Sequence, residues 1–61
     1  DKHDELWDII LTLDEKYRSV IILFYYDQMK IKEISEILHI TEGTVKSRMS
    51  RAKDILKKQL A

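Results

Sequence analysis

Residues Ile40 to Leu60 read ITEGTVKSRMSRAKDILKKQL, and the fold turns on how this stretch is wound. At about 100° per residue, Val45, Met49, Ala52, Leu56 and Leu60 cluster within about a third of a helix circumference, the apolar stripe of a helix docked on a core. The opposite face carries Lys46, Ser47, Ser50, Arg51, Asp54, Lys57 and Lys58. From Thr44 to Ala61 six cations stand against Asp54 alone, a local charge of +5 inside a chain whose formal net charge is zero.

Upstream of this helix the chain has to turn. His39 occupies a position that is often left-handed, a conformation histidine tolerates better than most non-glycine residues. Ile40 is placed to pack back on the core and Thr41 to cap the next helix. A short helix over about 31–38, with Ile31, Ile34, Ile37 and Leu38 apolar and Lys32, Glu33 and Glu36 in water, precedes the turn. The recognition-like helix follows over about 42–58. A helix, a tight turn and a second helix make a helix-turn-helix.

The rest of the chain is helical too. It has no proline, a single glycine at Gly43, and no sustained alternation of apolar and polar residues. A first helix is expected over about Lys2 to Thr12, with Leu6, Ile9, Ile10 and Leu13 on one side and Trp7 and Leu11 beside them. A second is expected over about Glu15 to Tyr26, with Asp14 as its cap and Tyr17, Val20, Ile21 and Phe24 inward. Ile22, Leu23, Tyr25 and Tyr26 spread apolar surface around that second helix, which makes it either the centre of the core or a shared partner surface. The expected fold is all-α, one small four-helix domain over residues 1–61 containing a helix-turn-helix without a wing.

Composition narrows the function. Sixty-one residues leave little room for an enclosed active site, and a chain without cysteine has no disulfide, no thiolate nucleophile and no thiolate metal ligand. His3 and His39 are far apart and lack ligand spacing, and no glycine-rich phosphate loop occurs, so we expect no enzyme, no metal and no cofactor. With no apolar run near the ~20 residues that span a bilayer and no signal-peptide pattern, a soluble, cytoplasmic protein is expected. The first residue is Asp1 in an already helical pattern, so a fragment of a longer protein is expected.

Charge divides along the chain. Residues 1–28 hold three cations and seven anions, residues 29–61 eight cations and four anions, so a polyanion would meet one end. The plain alternative, that these charges merely solvate helix surfaces, does not explain why the cations coincide with the hydroxyl-bearing face of the last helix. In a helix-turn-helix the second helix enters the major groove by its N-terminal part while the first crosses the backbone. Lys46, Ser47, Ser50 and Arg51 are then placed to face bases, and Lys30, Lys32, Thr44, Arg48 and Lys53 to meet phosphates. Gly43 leaves the helix start open to a phosphate, whereas Glu42 repels one.

From Leu13 to Leu60 the chain closely resembles region 4, the C-terminal DNA-binding domain, of bacterial extracytoplasmic-function sigma factors. The sharpest points are Tyr17-Arg18 before an apolar helix, Lys32-Glu33-Ile34, and Gly43-Thr44-Val45-Lys46-Ser47-Arg48 leading to Arg51-Ala52. Asp14, Ser35 and His39 depart from the proline, alanine and glycine frequent at those positions. The resemblance implies recognition of the −35 element of double-stranded promoter DNA and docking on the β-subunit flap of RNA polymerase core. It also implies regulation by an anti-sigma factor, with Trp7, Leu11, Ile22, Leu23 and Tyr26 as the protein-facing surface. Two rivals remain at this point: the output domain of a response-regulator-like transcription factor, and a helical protein-interaction module that never touches DNA.

Overall fold

The computed structural model describes residues 5–60, and within them the fold is all-α. The order is α1 (Glu5–Ile10), α2 (Glu15–Ile21), a π-helical segment (Ile22–Tyr26), α3 (Ile31–Leu38) and α4 (Glu42–Leu60). The expected start of the first helix at Lys2 lies outside the described residues.

α1 stops at Ile10 rather than Thr12 because the chain tightens. The Thr12 and Leu13 amides donate to the Ile9 and Ile10 carbonyls at 3.0 and 3.1 Å, and the Thr12 hydroxyl also donates to the Ile9 carbonyl, at 2.6 Å. Those i→i−3 bonds satisfy end carbonyls that a further α turn would otherwise have used. At the start of α2, Asp14 makes no capping bond with its side chain, contrary to expectation. Its carbonyl accepts from the Tyr17 and Arg18 amides instead, and its charge is left to act on the helix dipole alone.

The second helix departs most from its periodicity. After Ile21 it widens into π winding, the Asp27 amide reaching five residues back to the Ile22 carbonyl at 3.0 Å. Trp7 and Tyr26 meet edge to face at 4.8 Å, and Phe24 and Tyr25 at 4.9 Å. Gln28, left-handed at φ 57°, ends the segment, and the Met29 amide closes it on the Leu23 carbonyl.

α3 begins with a bond from the Lys30 amide to the Glu33 carboxylate at 2.8 Å, half of a capping box. It ends as expected: His39 is left-handed at φ 59°, ψ 43°, and the Ile40 amide reaches back to the Ser35 carbonyl, the six-to-one bond of a Schellman ending. Thr41 then caps α4, its hydroxyl accepting from the Thr44 amide at 3.1 Å and its carbonyl from the Val45 amide at 3.0 Å.

The core draws on every helix: Ile10, Leu13, Val20, Ile21, Ile34, Val45, Met49, Ala52 and Leu56, with no polar side chain of the described residues buried among them. Leu60 and Ile37 were expected to be apolar contacts but are exposed. Ile37 is turned to solvent while its neighbour Leu38 packs on the core, and Leu60 lies in the last turn of α4, where the described residues leave it half exposed.

His39 is exposed, so its side chain adds no packing to offset a left-handed backbone. That conformation costs a non-glycine residue roughly 1–2 kcal/mol, less for histidine, and glycine's extra unfolded-state freedom returns part of it. His39→Gly should therefore raise stability by about 0.5–1 kcal/mol, or about 2–8 °C in melting temperature. Thermal unfolding followed by circular dichroism checks this; an unchanged or lower midpoint refutes it.

Candidate nucleic-acid interface

The turn at His39 and the cap at Thr41 aim α4, and the buried stripe Val45, Met49, Ala52 and Leu56 fixes its rotation. The face opposite that stripe is therefore outward. Lys46, Ser47, Ser50 and Arg51, the four candidate base-facing residues, are all exposed there.

Each flank of this face carries a groove. On the α2 side, Lys16 and Tyr17 stand across from Thr44, Ser47, Arg48 and Arg51. On the other side, Phe24 and Ile31 stand across from Lys46, Met49 and Lys53. Ser50 borders both, which puts it on the crest of the outward face.

The candidate phosphate contacts divide between the flanks. Arg48 is half-buried and also lines a depression with Lys16, Ser19 and Leu38, so it sits at the edge rather than the crest. Thr44 has a structural task as well, its hydroxyl lying 2.8 Å from that of Thr41 within the cap. Lys30 and Lys32 are exposed at the start of α3, on either side of Ile31. The Lys53 ammonium lies 5.8 Å from the centre of the Tyr25 ring, a cation–π contact that holds it near the flank. A β-carbon built on Gly43 would meet only the Thr41 hydroxyl, at 3.9 Å, so the outward side of the first turn is open.

Lys16 is an addition to the candidate cations. Periodicity could not find it, because it enters the same groove as Arg48 and Arg51 only through the packing of α2 on α4. Asp54, the one anion from Thr44 onward, lies further along the same outward face.

The candidate protein-facing residues fall elsewhere. Leu11 and Tyr26 are exposed, and Trp7 is half-buried with its ring against Tyr26. Ile22 and Leu23 are half-buried against the core, so they offer less free surface than expected. Tyr25 and Leu60 are exposed instead, and with Leu6, Ile10 and Tyr26 they line an apolar groove between α1, the π-helical segment and the end of α4, rimmed by Lys53 and Lys57. Among the described residues there is no cluster of three or more potential metal ligands, and no helix is long and apolar enough to cross a membrane.

Residues 3–56 match the family described as Sigma-70, region 4. The chain belongs to that family. It is 53% identical over 51 residues to the ECF RNA polymerase sigma factor SigW of Bacillus subtilis (strain 168), a match covering 84% of this chain and 27% of that protein. It is 40% identical over 55 residues to the RNA polymerase sigma-E factor of Streptomyces avermitilis, covering 90% and 31% respectively. The RNA polymerase sigma factor SigV of Bacillus subtilis (strain 168) is 34% identical over 59 residues, covering 97% and 36%. The chain thus spans about a third of the length of these relatives. Membership decides between the two DNA-binding readings of the sequence in favour of the sigma factor.

Proposed function

We propose that this region 4 forms one domain over residues 1–61 and reads the −35 element of promoter DNA in transcription initiation. The observation that carries the reading is the outward face of α4: four exposed donors and hydroxyls in its N-terminal half, on a helix whose opposite stripe is buried. At 19 residues α4 is about 28 Å long, more than the roughly 12 Å width of the major groove. Only its first half enters. Lys46 and Arg51 donate to the N7 and O6 acceptors of guanine, and Ser47 and Ser50 donate or accept as the base requires. Lys30, Lys32 and Lys53 hold one phosphate rail, and Thr44, Arg48 and Lys16 the other, which sets the register of the base-facing residues.

The apolar groove beside Tyr25, Tyr26 and Leu60 supports a second, protein partner, because exposed aromatic and aliphatic surface on so small a chain favours association. We assign that partner to the flap of the RNA polymerase β subunit, with an anti-sigma factor as competitor. The protein acts in the cytoplasm by binding alone, with no catalysis, cofactor or small-molecule substrate. The plain interaction-module reading leaves the cation and hydroxyl face of α4 without a use.

A salt titration tests the DNA half of this reading. Neutralising about four to six phosphates should make affinity fall roughly 10²–10³-fold between 50 and 200 mM salt. Fluorescence anisotropy on a labelled promoter duplex measures it; affinity that changes less than about threefold over that range would count against groove binding.

A further inference from the structure

The groove on the α3 side of the outward face is not built like a phosphate site. Its floor is Met49, 5% exposed, and one wall is apolar, formed by the half-buried Phe24 and Ile31. The Phe24 ring is steadied edge to face by Tyr25. The facing wall is Lys46, Ser50 and Lys53 of α4. Lys46 and Ser50 are two of the four residues read above as base-facing, so this apolar hollow opens onto the surface turned toward the base edges.

A phosphate gains nothing from apolar walls, and a purine or cytosine edge presents only donors and acceptors there. Thymine alone carries an apolar group into the major groove, its 5-methyl, beside the O4 acceptor. We propose that the hollow receives the 5-methyl group of one thymine in the recognised site, Phe24 and Ile31 supplying the apolar contact and Ser50 donating to O4. The inference rests on the reading of α4 as the groove reader and adds to it a base identity at one position. It also gives the apolar residues of the π-helical segment a direct part in specificity.

Uracil separates the methyl contact from everything else, since it keeps O4 and the pairing edge and lacks only the methyl. Duplexes bound by the 61-residue chain at low ionic strength are first selected from a randomised pool, and each thymine of the enriched site is then replaced singly by deoxyuridine. One replacement is expected to weaken binding about fourfold, the factor for one buried methyl group at about 0.8 kcal/mol, while the others change it less than about 1.5-fold. In Phe24→Ala, or in Ile31→Ala where the first variant unfolds, thymine and uracil at that position should bind alike. An enriched site with no methyl-sensitive thymine overturns the proposal, as does a folded Phe24→Ala chain that keeps the full discrimination. A selection that enriches no sequence fails differently: it removes the promoter reading itself and this inference with it.

Discussion

Replacing Ile34 with alanine is expected to destabilise the domain by about 2–5 kcal/mol. Ile34 is fully buried at the centre of α3, the helix that packs against both α4 and the π-helical segment. Removing its branched end leaves a cavity in a core made wholly of apolar side chains, with no polar network to rearrange around it. A chain of 61 residues has a total stability of only about 3–9 kcal/mol, so the loss takes most of it. Urea unfolding should show the midpoint falling sharply, with α4 losing its platform at the same time. Ile37→Ala is the matched control: Ile37 is 54% exposed on the same helix, and its loss should cost under about 0.5 kcal/mol. Equal effects at the two positions would mean that α3 does not pack through Ile34.

Reversing the charge of Lys46 and Arg51 together, as Lys46→Glu with Arg51→Glu, should leave stability nearly unchanged and remove promoter binding. Both side chains are exposed, on the face opposite the buried stripe, so no core contact is lost. Each good base contact discriminates by roughly 1–3 kcal/mol, and two lost together amount to at least about thirtyfold before repulsion by the new carboxylates is added. Binding to a protein partner through the groove at Tyr25 and Leu60 should survive, because neither changed residue lines it. An interaction module that ignores DNA would show no effect of this pair on promoter activity.

Much of this arrangement was legible in the residues because it is local. His39 and Thr41 declare the turn by backbone preference and by a hydroxyl at the capping position, and both behave as those chemistries require. The stripe Val45, Met49, Ala52 and Leu56 follows from helical period, and so does the outward position of Lys46, Ser47, Ser50 and Arg51. What escaped depends on geometry that a fixed period does not contain. ILFYY is apolar all round, so an α template cannot register the wider winding that places Tyr26 against Trp7. Asp14 looks like a cap by type, but whether its carboxylate or its carbonyl takes the amides depends on the path of the chain from α1. Lys16 and the hollow at Phe24 and Ile31 exist only where two helices meet, and no single stretch of sequence holds both sides of either. Leu60 keeps its place in the stripe, but the described residues leave it half exposed, which helical period alone does not register.

That α4 reads bases, rather than merely resting on phosphates, is tested most directly by Arg51→Ala measured against every single-base variant of the selected −35 site. Arg51→Ala should lose roughly 1–3 kcal/mol on the preferred sequence and relax the preference at one base position. Equal weakening on every variant, with all base preferences intact, would contradict it and reduce Arg51 to a phosphate contact.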